Sequence, residues 1–380
     1  MSSGAPRQRF FATCAPGFEA LLHEEAKALK LPVLERQTGG VSFEGTLPDA
    51  WRANLELRTA IRVLMQVARF PAANADELRA GMGSIDWLRF VRPDGSLLVK
   101  ARSTESAIDH TLFAAQCAKD GIVDQLRTQS GARPSVDKED PDLRVQVHLV
   151  RDRCRVLVDT SGESLHKRGW RKFQGRAPLS ETLAAGVVLL SGWDRRAPLL
   201  DPFCGSGTIL IEAALIASDT APGLLRAQFG FERWPGHDAK GWQKMREAAR
   251  ARARFPGKLA LWGGDRDPNV IAGAQENLAA AGLGERVQLE VADALEFAPR
   301  PGWNAWIVSN LPYGERVGDA AKLTPMLRSF GAVLRERCAG YRAALLSGDP
   351  ALSRALALPS PKRAALKNGG LDCELLTAEL

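Results

Sequence analysis

The sequence predicts an α/β fold for its C-terminal half, an open and mostly parallel sheet, preceded by two smaller α+β units. Three observations predict it. Residues 198–212 run as apolar strand, acid, glycine turn and apolar helix: Leu199 and Leu200 end a buried strand, Gly205 and Gly207 turn the backbone, and Leu210, Ile211 and Leu215 follow at helical spacing. Acids stand at the ends of two further predicted strands, Asp265 and Asp293, and Asn310 ends a fourth. The chain then closes on two strands, Arg363 to Lys367 and Leu371 to Thr377, joined by the hairpin turn Asn368-Gly369-Gly370.

At 380 residues the chain has room for two or three domains with at least one large core. A formal charge of +7 and a pI near 9.2 allow a polyanionic partner. The first residues lack an apolar signal core, and no run of about 18 apolar residues occurs. A cytoplasmic protein with no membrane segment is expected. The six cysteines are scattered without a Cys-x-x-Cys pair, so reduced, buried thiols are expected, with no disulfide framework and no metal.

In chain order, a strand at Phe10 to Thr13 leads into a helix presenting Phe18, Leu21, Leu22, Ala26 and Leu29. Gly39 and Gly40 precede a strand at Val41 to Phe43; Asp49 caps a helix carrying Trp51 and Leu55; Ile61 to Phe70 is a β-branched strand. This first α+β unit is taken as residues 1–70. The second, 71–160, has a helix around Ala75 to Met82, a strand at Ser96 to Arg102, and a long helix from Thr111 to Ser130 stopped by Gly131. Two alternating strands follow, Val145 to Leu149 and Cys154 to Asp159. Residues 161–178 read as a basic linker. Between Arg151 and Arg176 lie Arg153, Arg155, Lys167, Arg168, Arg171 and Lys172, with His166, Trp170 and Phe173 interleaved, a pattern suited to phosphate contacts and base stacking.

From 179 onward the pattern is α/β. The glycine loop is not a phosphate-binding P-loop, because no Gly-Lys-Ser/Thr follows it. A dinucleotide fingerprint wants a third glycine where Leu210 stands, and Asp201 already occupies the strand end. Those departures favour S-adenosyl-L-methionine over NAD. Asp265 is then placed to accept the two ribose hydroxyls, and Asp293 the adenine amino group. Residues 219–256 form an insertion rich in aromatics and arginines, read as a cover over the site or, preferably, as a helix packed on the sheet through Trp242, Met245 and Ala249. The run Asn310-Leu311-Pro312-Tyr313 suits an exocyclic nucleobase amine. Its lone pair is delocalised into the ring; the Asn310 oxygen and the Leu311 carbonyl can accept its two hydrogens while Tyr313 stacks on the base.

These motifs resemble the RNA guanine-N2 methyltransferases that carry a THUMP domain, in particular the RlmL-like 23S rRNA enzymes. The resemblance is carried by Phe10-Phe-Ala-Thr-Cys-Ala-Pro-Gly-Phe-Glu19, Asn54-Leu-Glu-Leu-Arg-Thr-Ala60, Leu165-His-Lys-Arg-Gly-Trp-Arg171 followed by Ala177-Pro-Leu, and Asp201-Pro-Phe-Cys-Gly-Ser-Gly-Thr208. Asn310 to Arg316 and Lys367-Asn-Gly-Gly-Leu-Asp-Cys373 complete it. It implies a ferredoxin-like domain, a THUMP domain that binds structured RNA, and a Rossmann-like class I methyltransferase domain at 179–380 with a seven-stranded, mostly parallel sheet. It also implies a cofactor set: Asp201, Gly205 and Gly207 on the methionine part, Asp265 on the ribose and Asp293 on the adenine, with Phe203, Ser206, Thr208, Arg266 and Asn310 beside them. Asn310, Leu311, Pro312 and Tyr313 would hold the target guanine, and Lys167, Arg168, Trp170, Arg171, Lys172 and Arg176 the RNA. The family usually has Asn-Pro-Pro-Tyr, and Leu311 replaces the first proline here. Some members continue into a second methyltransferase domain, for which this chain leaves no room.

The reading is therefore methylation of a guanine N2 in 23S rRNA by a monomer. The same chemistry on tRNA stays open, as does an RNA-binding assembly factor without catalysis. A DNA or protein amino-methyltransferase fits the THUMP resemblance less well, and a dehydrogenase leaves Asn-Leu-Pro-Tyr without a role.

Overall fold

The computed structural model describes residues 6–175, 178–313 and 320–380, with backbone alone at 320–322. Arg176, Ala177 and the stretch from Gly314 to Arg316 lie outside the described residues. The chain forms two compact units: one gathers the described part of Met1–Thr13 with Glu25–Leu165 and Ala227–Glu247, the other Cys14–Glu24, His166–Arg226 and Ala248–Leu380.

The first unit is built from β1 (Gln8–Cys14), α1 (Glu19–Ala28, shared with the second unit), β2 (Val33–Gln37), β3 (Gly40–Gly45), α2 (Leu47–Glu56), β4 (Ala60–Pro71), α3 (Ala75–Gly83), β5 (Ser96–Thr104), α4 (Thr111–Ser130), β6 (Ser135–Val136), β7 (Leu143–Val150) and β8 (Arg153–Asp159). The two α+β units expected from the sequence share one eight-stranded sheet, ordered β2-β3-β1-β4-β8-β7-β5-β6. Strand β4 makes this possible: its 12 residues leave it long enough to lie between β1 and β8, bulging between Gln66 and Ala68. Along β7 the side chains alternate: Leu143, Val145, Val147 and Leu149 are buried, and Arg144, Gln146 and His148 point to the other face. Helix α4 has the predicted limits because His110 caps it, its ring nitrogen accepting the Phe113 amide, and because Gly131 takes a left-handed φ of 72°.

Residues 227–247 correct the reading of the insertion. Trp242 does not pack a helix onto the C-terminal sheet. It lies edge-on to Phe231 and Phe229 at 5.0 and 5.5 Å, and to Trp51 of α2 at 6.3 Å; Trp234 meets Phe90 edge-on at 5.2 Å. Phe229, Phe231, Trp234 and Trp242 thus belong to the core of the first unit.

The second unit contains α5 (Glu181–Leu190), β9 (Leu199–Asp201), α6 (Thr208–Ala217), α7 (Ala239–Arg252, shared with the first unit), β10 (Leu261–Asp265), α8 (Pro268–Ala280), β11 (Gln288–Val291), β12 (Trp306–Asn310), α9 (Ala320–Arg337), β13 (Arg342–Ser347), α10 (Pro350–Ala355), β14 (Lys362–Asn368) and β15 (Leu371–Glu379). Its seven strands are ordered β11-β10-β9-β12-β13-β15-β14. All neighbours run parallel except at β15, which pairs antiparallel with both β13 and β14. The expected terminal hairpin is therefore what closes the sheet. Leu199, Ile307, Val308, Leu345 and Leu376 are buried along its middle. Among the described residues no helix is long and apolar enough to cross a membrane.

Candidate active site

Chain order reverses at β9, with β10 on one side and β12 on the other, and the crevice beyond the carboxyl ends of such strands is where open α/β sheets bind ligands. The glycine loop fills that position. Gly205 and Gly207 take φ of 52° and 78°, where an L side chain is strained. A Cβ would meet nothing closer than 4.0 Å at Gly205 and 3.5 Å at Gly207, so backbone conformation, not crowding, demands glycine. Among the described residues the amides of Gly205 and Ser206 find no acceptor within the protein, whereas Cys204 donates to Gly264 O and Gly207 to Cys204 O. The loop thus offers two donors at the mouth of α6, a fit for a carboxylate.

Asp201, at the end of β9, is 1% exposed. Its Oδ1 accepts Ser309 Oγ at 2.5 Å and the Phe203 amide at 3.2 Å. Burial pushes this carboxyl up to about 7, against those two hydrogen bonds, which favour the charged form. Phe203 lies edge-on to Phe330 at 4.9 Å. Asp265 ends β10 half-buried and accepts the Asp267 amide at 3.0 Å; Arg266 beside it is exposed. Asp293 follows β11, is exposed, and accepts the Leu295 amide at 2.9 Å, so it also caps a short turn of helix. Asp267 caps α8, as its place before Pro268 suggests. The three acids expected at strand ends stand at or just past the ends of three adjacent strands.

Asn310 ends β12. Its Oδ1 is buried and has no hydrogen-bond partner among the described residues, an orphan acceptor where a donor is wanted. Leu311 is buried, its amide donating to Leu346 O at 2.9 Å; Pro312 is half-buried and Tyr313 8% exposed.

The basic segment is where structure and sequence part. Arg168 and Glu212 of α6 form an ion pair with N···O 3.3 Å and side chains 1% and 0% exposed. Trp170 is 1% exposed, and the Arg171 guanidinium lies 4.9 Å from its ring centre. Arg171 pairs with Glu181 at 2.8 Å and donates to Leu179 O, Ser206 Oγ and Thr208 Oγ1. Asn277 of α8 accepts the Lys172 and Phe173 amides and donates to Phe173 O and Ser206 O. Arg168, Trp170 and Arg171, expected on RNA, are therefore built into the protein, and only Lys167 and Lys172 of the described set are exposed. The hydroxyls of Ser206 and Thr208, expected on the cofactor, are likewise engaged by Arg171 from within. One signal was available: Glu212 is a lone acid in the otherwise apolar run Thr208–Ala217, and a buried carboxylate needs a cation.

A second basic set was legible only in Arg155; the neighbours that strand pairing gives it were missed. Register places Arg102 of β5 opposite His148 of β7, His148 opposite Arg155 of β8, and Arg155 opposite Arg69 of β4. These four side chains form one row across four adjacent strands, about 4.8 Å apart. Arg102 and Arg69 are exposed, Arg155 and His148 half-buried, and no carboxylate pairs with any of them among the described residues. Burial, aided by Arg102 and Arg155, pushes His148 down to about 4, so it is neutral at pH 7. Sequence separation hides this row; only strand register assembles it.

Three family models match the chain: the RlmL ferredoxin-like domain over residues 9–64, the THUMP domain over 72–159, and the RMKL-like methyltransferase domain over 168–377. The chain is 43% identical over 379 residues to the ribosomal RNA large subunit methyltransferase K/L of Pseudomonas entomophila, an alignment covering 97% of this chain and 52% of that protein. The chain thus spans about half the length of the curated relatives it matches. Among solved structures, a presumed methyltransferase complexed with SAH is 31% identical, with 98% of each chain covered and a TM-score of 0.89. A "predicted N6-adenine-specific DNA methylase" from Listeria monocytogenes is also 31% identical, covering 98% of this chain and 96% of that one, with a TM-score of 0.87.

Proposed function

Because this chain belongs to the family of RMKL-like methyltransferase domains, we propose that it transfers a methyl group from S-adenosyl-L-methionine to the exocyclic N2 of a guanine in 23S rRNA. The observation that carries the reading is the orphaned Oδ1 of Asn310, one strand from the glycine loop. The amides of Gly205 and Ser206 hold the cofactor's carboxylate, Asp265 its ribose and Asp293 its adenine. When bound, that group supplies an electrophilic methyl. Asn310 Oδ1 and the Leu311 carbonyl accept the two amine hydrogens and so aim the nitrogen lone pair, while Tyr313 stacks on a base flipped out of its helix. Positioning takes the place of a strong general base. The large-subunit rRNA target is supported by the name of the Pseudomonas relative, the THUMP match and the unneutralised row Arg69, Arg102, Arg155 with His148, which suits a phosphate backbone. An adenine amine would present the same two hydrogens to Asn310, so guanine N2 rests on the family resemblance.

The test is methyl transfer from labelled cofactor to separated, unmodified 23S rRNA, 16S rRNA and tRNA, with nucleoside analysis. N2-methylguanosine in 23S rRNA is expected, and Asn310→Ala should abolish it while RNA binding persists. Label found only in tRNA changes the substrate. Undiminished transfer by Asn310→Ala refutes the assigned mechanism.

A further inference from the structure

The run Lys367-Asn-Gly-Gly-Leu-Asp-Cys373 has a place in the resemblance but no task in the reaction as described. Structurally it is the turn joining β14 to β15, with Gly369 at φ 61°. Asn368 Nδ2 donates to the Tyr313 hydroxyl at 2.9 Å, and Cys373 Sγ lies 3.7 Å from the same oxygen. Behind the ring, Gly348 follows β13, and a Cβ there would come within 2.4 Å of a ring carbon. Tyr313 is therefore held at its far end by the hairpin and along one side by bare backbone. A tyrosine χ2 is otherwise broad, so these contacts set the plane of the ring.

We propose that the β14–β15 turn is the positioning device for the target base: Asn368, with Cys373 beside it, fixes the Tyr313 hydroxyl, and Gly348 fixes the ring plane against which the base stacks. Asn368 touches neither base nor cofactor in this arrangement; it is a positioning residue acting through Tyr313. The claim rests on the proposed reaction, in which Tyr313 is the stacking platform. Burial pushes the Tyr313 hydroxyl well up from its ordinary range, so it remains a neutral hydrogen-bonding group at any working pH.

Asn368→Ala and Tyr313→Phe each remove one side of the same bond. Each should lower kcat about threefold to tenfold, the range one neutral hydrogen bond is worth, with the cofactor KM unchanged. The double variant should be no slower than either single one, and Asn368→Asp, which still offers the phenol a partner, should recover most of the rate. A second readout is independent of activity. The chain has two tyrosines, so tyrosine labelled at Cζ alone gives two resonances. In Asn368→Ala the Tyr313 resonance should shift and that of Tyr341, whose hydroxyl donates to Arg300 O at 2.6 Å, should stay. Wild-type transfer rates in Asn368→Ala, additive effects in the double variant, or an unmoved Tyr313 resonance would each overturn the positioning role alone. Absence of transfer by the unsubstituted protein to any RNA would instead overturn the reaction.

Discussion

Replacing Arg168 separates two readings of the basic segment with opposite outcomes. If it faced RNA, Arg168→Met would leave stability alone and remove one phosphate contact, lowering the salt slope of RNA affinity by about 1. The structure pairs it at 3.3 Å with a carboxylate that is 0% exposed, inside a helix with nothing else charged. Removing one member of such a pair leaves the other charge buried, which costs about 3–5 kcal/mol. For a domain of some 200 residues that is roughly 6–20 °C in Tm. Arg168→Met together with Glu212→Leu should recover most of the loss, because a well-packed apolar pair is often as stable as the ion pair it replaces. Thermal unfolding of the four proteins of this cycle, and filter binding of rRNA at several salt concentrations well below each Tm, decide between them. A Tm within about 2 °C of wild type with a reduced salt slope would refute the buried-pair argument.

Trp242→Ala should destabilise the first unit by about 3–5 kcal/mol, read by urea unfolding, with affinity for SAH unchanged by calorimetry. Asp201 titrates near 7 in the folded chain against 3.8 ordinarily, so the folded state binds the extra proton. Its contribution to stability is full below about pH 4 and is lost as pH rises through about 7, and Asp201→Asn should flatten that part of the stability profile. Replacing Arg69, Arg102 and Arg155 by Gln should weaken rRNA binding and cut the salt slope by up to about 3 without moving Tm by more than a degree or two. A slope identical to wild type removes that face from RNA contact.

The glycine turn, the strand-end acids and the terminal hairpin were legible because each is a local device: a left-handed φ, an acid one residue past an apolar run, a Gly-Gly turn between alternating strands. Arg168 and Arg171 were not, because a run of basic and aromatic residues has the same composition whether it lies on RNA or inside a protein. What decides is the partner, and Glu212 is 44 residues away. The row of three arginines about a neutral His148 is the reverse case. Arg69, Arg102, His148 and Arg155 occur on four separate strands, each an ordinary outward position in an alternating pattern, and acquire a meaning only when pairing sets them side by side.

The segment before the methyltransferase sheet is consequently part of the site's foundation. Arg171 holds the hydroxyls of Ser206 and Thr208, Asn277 holds Ser206 O together with the backbone of Lys172 and Phe173, and Arg168 neutralises the helix that the loop opens into. A loop whose two glycines give it backbone freedom would otherwise have many conformations, and a ligand would have to meet the ordering cost. Bracing from behind removes that cost before a ligand arrives, while the amides of Gly205 and Ser206 keep no acceptor among the described residues. The family match begins at 168, ahead of the helix starting at Glu181, and so takes in Arg168, Arg171 and the Lys172 and Phe173 backbone that brace the loop.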